Sequence, residues 1–380
     1  MNLVIVESPG KVQTITKYLN GNPNLNKYGS FVVLASYGHI RDLAKPGLSI
    51  DIEHGFEPNY AFLPEKKLQV DKIKKAAKDA QNIYLASDLD QEGEFISESL
   101  RVALNLGENY KRIVFTEITS NALEHAIEHP GRINQNQLQS QQTRRVLDRL
   151  VGFKLSPLLW KKFTSGAVTL SAGRVQSAVM HLIVQREKEV EEFTSRCYWT
   201  IQGDFKLDKD VLEEVKLYSG QTLYKTEDSK DVSKFFKSLK QVWSVSDVKS
   251  RVSRQSPDLP FITSSLQQEA SSKLRLGIKR IMAVAQELYE AGLITYMRTD
   301  SHNMSDTFKA AAKTFIENEY GADYYQAGTI KKKAVKGAQE AHECIRVTQV
   351  SVRELPGKYG NDHKQLYSLI WKRCVACLMK

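Results

Sequence analysis

Long apolar runs are missing from this 380-residue chain. Stretches such as Leu3–Val6 and Val32–Ala35 are short, and the longest unbroken run, Cys374–Met379, has six residues, against the ~20 that a membrane-spanning helix needs, so no membrane partner is expected. No basic region, apolar stretch and small-residue cleavage site open the chain, which leaves secretion unsupported. Cysteine is scarce: Cys197, Cys344, Cys374 and Cys377 are the whole set. That usage fits a reducing compartment and a cytoplasmic location. Cys374 and Cys377 form one C-x-x-C with no second pair, which excludes a four-thiolate zinc site. A nucleotide cradle is lacking too. Gly10-Lys11 looks like the tail of a phosphate-binding loop, yet Ile5 stands where its first glycine belongs and Val12 where Ser or Thr belongs. His342-Glu343 has no second histidine four residues on, so it is not a zinc-protease helix. No internal repeat is visible.

What is present is an ordinary globular composition, 41% apolar and 26% charged, at a length that suggests two to three domains of about 150 residues. Lysine and arginine number 54 against 44 acids, a net charge of +10, which points mildly to a polyanionic partner. The excess is local. Between Gly131 and Arg186 stand Arg132, Arg144, Arg145, Arg149, Lys154, Lys161, Lys162, Arg174 and Arg186, and Asp148 is the only acid. Arg145 and Arg149 share a helix face and repel unless an anion lies over them. Phe153, Trp160 and Phe163 alternate with Lys154, Lys161 and Lys162, a pattern suited to stacking bases and neutralising phosphates of a single strand. A solvated basic helix with its aromatics in a core has the same sequence.

Patterning divides the chain. Residues 2–6, 32–36 and 82–87 read as short buried strands and 112–118 as another. Helices are expected over residues 10–19, 66–80, from the acidic loop to about 104, and over 120–128. Such alternation implies a mostly parallel sheet with chemistry at the carboxyl ends of its strands. The Pro/Gly-punctuated stretch 45–64 reads as a loop or insertion. Beyond Gly131 the pattern turns helical, clearest at 134–152 and 174–192. Residues 197–250 favour strand-like alternation (YWTIQGDF, SVSDV), and a polar hinge at 254–259 precedes helices at 263–274, 278–291, 305–318 and from 363 to the end. The basic run at 331–336 (KKKAVK) carries no specific role.

Two segments carry chemistry. Asp88-Leu89-Asp90-Gln91-Glu92-Gly93-Glu94 follows an apolar strand. If the backbone stays extended, Asp88, Asp90 and Glu92 point the same way. Three convergent carboxylates repel one another, and Mg²⁺, a hard oxygen-seeking cation, is the natural counterion. Solvated surface is the ordinary alternative for an acidic loop. An EF-hand is excluded by the positions of the glycine and the last glutamate. Glu7 also follows a strand. Beside other carboxylates its pKa should rise, favouring proton donation, unless it merely caps the next helix. In Gly292-Leu-Ile-Thr-Tyr296-Met-Arg298-Thr-Asp300 the phenol and guanidinium project to one side of an extended chain. Arginine there lowers the cost of a phenolate and can fork onto a phosphate. A packed core tyrosine has the same spacing.

The ordered set ESPGK (7–11), GHIRDL (38–43), SDLDQEGE (87–94), FTEIT (115–119), QQTRRVLDRLVGFKLSPLLW (141–160), LSAGRVQSA (170–178), LITYMRTDS (293–301) and AHECIRVT (341–348) strongly resembles the type IA DNA topoisomerases, and most closely their bacterial topoisomerase I branch. LITYMRTDS and LSAGRVQSA are highly specific, whereas ESPGK and DxDxE occur more widely among toprim folds. The resemblance implies a multidomain α/β plus α protein. A toprim (Rossmann-like) parallel sheet over 1–130, with an insertion at about 45–66, is followed by a basic helical single-strand DNA-binding domain over 131–192. A partial β-rich gate segment (193–255) and a helical domain carrying the tyrosine (256–362) follow, and 363–380 starts a return to the gate. It implies ATP-independent, Mg²⁺-dependent relaxation of negatively supercoiled DNA through a 5′-phosphotyrosine, with no nucleotide cofactor, by a monomer at a nucleoid or viral replication site. Tyr296 would be the nucleophile. Asp88, Asp90 and Glu92, with Glu7, would hold Mg²⁺, while Glu7 serves as general acid. Lys11 and Arg298 would stabilise the phosphate. His39 and His342 would position DNA or neighbouring carboxylates, and Arg145, Asp148, Arg149, Arg174 and Gln176 would line the strand channel.

This sequence departs from the pattern in three places. The acidic motif usually reads DPDREGE; Leu89 replaces its proline and Gln91 its arginine, removing a positive charge near the scissile phosphate. The chain stops at Lys380 in a segment that precedes a long return in the family, so it reads as a fragment. No zinc-ribbon repeats are present. Two other readings remain at this stage: a toprim nuclease or primase that does not use Tyr296, and a non-catalytic single-strand DNA-binding fragment.

Overall fold

The computed structural model describes residues 1–163, 170–200, 202–207, 211–216, 218–219, 222–223, 225–239, 250–253, 255–326 and 343–380. The chain opens with β1 (Asn2–Val6), α1 (Gly10–Gly21) and β2 (Phe31–Ala35). Short strands β3 (Arg41–Leu43), β4 (Ile50–Asp51), β5 (Glu57–Pro58) and β6 (Tyr60–Phe62) follow, then α2 (Lys67–Lys78), β7 (Asn82–Ala86), α3 (Gln91–Ala103), β8 (Lys111–Arg112) and α4 (Ser120–Glu128). The basic region forms α5 (Gln135–Lys162).

The sheet has the order β2-β1-β7-β8, and every pairing is parallel. All five residues of β1 are buried, because a parallel strand covered on both faces has no solvent side. Its side chains alternate between two cores. Val4 and Val6 join Ile15, Leu19 and Leu123 on one face, and Leu3 and Ile5 join Ile73, Ile96 and Leu100 on the other. From β1 the chain moves to one edge, and from β7 to the other. The crevice between the carboxyl ends of β1 and β7 is therefore the topological switch point, where open α/β sheets hold ligands.

The sequence expectation of a strand over 112–118 holds only at its start: β8 ends at Arg112 and the following residues leave the sheet. Tertiary contact explains the difference. Ile113 and Ile118 stay buried, but Thr116 lends its carbonyl to the Tyr296 amide rather than to a neighbouring strand (2.8 Å). The 45–64 insertion carries the antiparallel pair β4–β5, and its β6 returns to pair antiparallel with β3 just before it.

Two compact units divide the chain: residues 1–171 with 255–380, and residues 172–254. The second unit holds α6 (Arg174–Glu192), the antiparallel pair β9 (Trp199–Thr200) with β14 (Lys225–Thr226), the hairpin β10 (Gln202–Leu207) and β11 (Val211–Lys216), the pair β12 (Tyr218–Ser219) and β13 (Thr222–Leu223), and α7 (Ser229–Ser238). The SVSDV stretch (244–248), the KKKAVK run and His342 lie outside the described residues.

The first unit is completed by α8 (Thr263–Leu274), α9 (Ile278–Glu290), α10 (Asp306–Tyr320) and α11 (Asn361–Ala376). Residues 363–380, expected to begin a return to the gate, largely form α11, which packs on α8 and α9. Its Leu366, Tyr367 and Ile370 lie in the same core as Val4 and Val6 of the sheet. One apolar core thus runs from the first strand to the helices that frame Tyr296.

Candidate active site

At the carboxyl end of β7 the chain must turn at once into α3. Gly93 makes the turn possible: a Cβ there would sit 2.0 Å from the Asp88 carbonyl oxygen, closer than any side chain tolerates. Asp90 caps α3, its Oδ1 accepting from the Gly93 amide at 2.9 Å. Beneath the turn lies a buried ion pair, Arg112 with Glu94 at 2.8 Å. The Arg112 guanidinium also donates to the Ser87 and Asp88 carbonyls at 2.8 Å each. The fourth carboxylate of the acidic motif is therefore structural.

Because α3 begins at Gln91, the two-residue alternation stops there and the three expected metal ligands part company. Asp88 is bonded to Lys11, whose ammonium is fully buried and lies 5.1 Å from the Tyr289 ring. Asp90 turns its second oxygen to the Tyr296 hydroxyl, which donates at 2.6 Å; Arg298 stands 3.7 Å from the same oxygen. Glu92 faces His39 at 3.1 Å and Gln141 at 3.2 Å. The His39 contact holds its carboxyl below the usual range, aided by Gln141 and Arg144. Asp88, Asp90 and Glu92 thus each meet a different partner, and among the described residues no three His, Cys, Asp or Glu side chains gather as a metal cage.

Glu7, at the end of β1, completes the crevice. Burial, and next the charge of Asp88, push its carboxyl up to about 7, against the opposing pull of Lys11; Asp90 adds to the rise. Glu7, Asp88 and Asp90 therefore sense one another across the switch point. Hard carboxylate oxygens in this number fit a cation such as Mg²⁺, which takes one or two carboxylates and keeps waters.

Tyr296 is 3% exposed and follows the tight turn after α9. Gly292 there has φ +74°, and a Cβ would meet the Ile118 carbonyl oxygen at 2.5 Å. The Tyr296 ring packs edge-on against Tyr289 at 5.2 Å. Burial raises the phenol pKa far above its ordinary value. The Asp88 and Asp90 charges and the bond given to Asp90 raise it further, while Arg298 opposes them. The hydroxyl is thus held neutral, its hydrogen pointed at the Asp90 carboxylate.

The structure disposes the remaining predicted residues differently. Arg145 forks onto Asp42 (2.5 Å). Arg149 donates to the Gly47 carbonyl (3.2 Å) and covers the Phe153 ring at 4.9 Å. Asp148 lies 4.0 Å from Arg144. All four are on α5, in the same unit as the crevice, whereas Arg174 and Gln176 belong to the other unit. Sequence reasoning missed Asp42, Gln141 and Tyr289 as partners. Asp42 and Gln141 stood inside the quoted motifs, but nothing in their spacing says which side chain they meet.

Against known proteins, the family described as DNA topoisomerase matches residues 132–380, and the family described as Toprim domain matches residues 2–118. DNA topoisomerase 1 of Pseudomonas aeruginosa is 40% identical over an alignment covering 100% of this chain and 47% of that protein. A solved structure of full-length topoisomerase I from Thermotoga maritima superposes with a TM-score of 0.81 at 38% identity, covering 100% of this chain and 61% of the other. The chain spans about half the length of the curated relative it matches.

Proposed function

The chain belongs to the type IA DNA topoisomerase family, and from that membership we propose that it breaks one DNA strand transiently through Tyr296 and rejoins it. The observation that carries this reading is the Tyr296 hydroxyl bonded at 2.6 Å to Asp90, beside a carboxyl, Glu7, whose pKa is near 7.

In the forward step the Tyr296 Oη attacks a backbone phosphorus and gives its proton to the Asp90 carboxylate. The P–O3′ bond breaks, and protonated Glu7 delivers a proton to the departing 3′-oxygen. A pKa near the working pH suits that role, since the group is then often protonated yet readily gives the proton up. Arg298, 3.7 Å from Asp90, fixes the phosphate and offsets the charge that builds on its oxygens. Lys11 balances Asp88. Mg²⁺, held by Asp88 and Asp90 with Glu7 alongside, would supply further neutralisation of phosphate charge. Religation is the same exchange run backwards. One phosphate ester replaces another, so no nucleotide need be spent, and supercoil strain drives the net change of linking number. The basic, aromatic-lined surface of α5 is the proposed path for the single strand.

A single-stranded oligonucleotide, incubated with Mg²⁺ and quenched with denaturant, tests this. Wild type is expected to yield a shortened strand whose 5′-phosphate end stays with the protein. Tyr296→Phe should retain binding and yield none. A Phe variant that still cleaves would contradict the assignment.

A further inference from the structure

One buried charge takes no part in the chemistry above. Arg346 is 2% exposed, yet its guanidinium nitrogens donate four hydrogen bonds and all three find acceptors. Nε and Nη2 reach Glu343 Oε2 at 2.8 and 2.7 Å. Nη1 reaches Glu117 Oε2 at 2.8 Å and the Val347 carbonyl at 3.2 Å, and Nη2 also reaches Ser305 Oγ at 3.1 Å. The guanidinium lies over the Phe308 ring at 4.6 Å, which bounds it on one face.

Glu117 differs from the other partners in its place in the chain. Glu343, Ser305 and Val347 all come from the tyrosine-bearing part, whereas Glu117 follows β8 of the sheet. Its neighbour Thr116 accepts from the Tyr296 amide at 2.8 Å and donates weakly to Glu343 at 3.4 Å. On the tyrosine side, the Arg346 backbone is tied to Thr295: the Thr295 amide donates to the Arg346 carbonyl, and the Arg346 amide to Thr295 Oγ1, each at 2.9 Å. A rigid fork therefore connects the residue before the nucleophile to the segment of the sheet that accepts the nucleophile's own amide.

We propose that Arg346 is a positioning residue for Tyr296, docking the segment that carries it on the Thr116–Glu117 segment through the charge pair with Glu117. This rests on the reading of Tyr296 as nucleophile. Apolar packing brings the two parts together, but only a directional contact sets the angle at which the phenol meets Asp90. A planar guanidinium with all three nitrogens engaged supplies that direction.

The test is Glu117→Gln, which keeps shape and removes the charge, read by amide exchange without DNA. The Tyr296 amide bonds across the dock; the Thr295 amide bonds within the tyrosine-bearing part. Exchange at Tyr296 is expected to quicken at least about tenfold while Thr295 stays within about twofold of wild type. With saturating oligonucleotide, kcat for cleavage should fall at least about tenfold with KM little changed, since small misplacement of a reacting atom costs rate rather than binding. Glu117→Asp should recover part of both. Unchanged exchange at Tyr296, equal quickening at both amides, or selective quickening with full cleavage would each overturn the proposal. A wild type that cleaves nothing would instead strike the nucleophile reading, leaving the exchange pair to judge the dock.

Discussion

The Glu7 carboxyl ionises near pH 7 in the fold but near 4.5 in an unfolded chain, and the consequence for stability has a definite sign. Between those values the folded protein holds more protons than the unfolded one, so stability falls as pH rises from about 4.5 to about 7 and then levels. Each unit of difference corresponds to ~1.4 kcal/mol, and solvent relaxation reduces the sum to on the order of 1–3 kcal/mol. Glu7→Gln is neutral throughout. Thermal melts across this range should show the variant nearly free of this slope and more stable than wild type at pH 8 by a few degrees. The same variant should lose the proton donor and cleave slowly. Parallel melting curves for the two proteins would remove the basis for assigning Glu7 as the acid.

At the scale of elements, one turn sets the site. Gly93 lets the strand end and the helix start within contact of each other, and Asp90 uses one oxygen as helix cap and the other for the phenol. Gly93→Ala forces a Cβ onto the Asp88 carbonyl, which should cost about 2–4 kcal/mol in melting experiments and displace both aspartates. A variant of wild-type stability and cleavage would show the turn to be less constrained than the geometry says. Most elements were legible beforehand. Helices over residues 120–128, 174–192 and 263–274 lie where the sequence pattern puts them, because a helix-period pattern is a local signal. The expected strand over 112–118 failed because Thr116 and Glu117 answer to residues some 180 to 230 positions later in the chain, which no local pattern encodes. The acidic motif was read correctly as a strand-end feature. The separate partners its carboxylates meet are not legible there, since the helix start at Gln91 turns Glu92 toward His39.

Over the whole molecule, the core shared by the sheet and the helices α8, α9 and α11 joins Asp88 and Asp90 to a tyrosine about 200 residues away in sequence, and Glu7 to the same tyrosine across about 290. Among the described residues no helix is long and apolar enough to cross a membrane. The basic stretch along α5 should make single-strand affinity strongly dependent on salt, log K falling linearly with log salt concentration. Arg149→Ala should weaken binding across sequences and lower that slope by somewhat under 1, about one phosphate contact. A slope unchanged by the substitution would take Arg149 off the strand's path. The covalent bond itself is the most direct test of the account. After cleavage in Mg²⁺, denaturation, nuclease trimming and proteolysis, peptide mass mapping should find a nucleotide joined through its 5′-phosphate to the peptide containing Tyr296. Cleaved DNA with the adduct on another residue, or with no adduct at all, would contradict it.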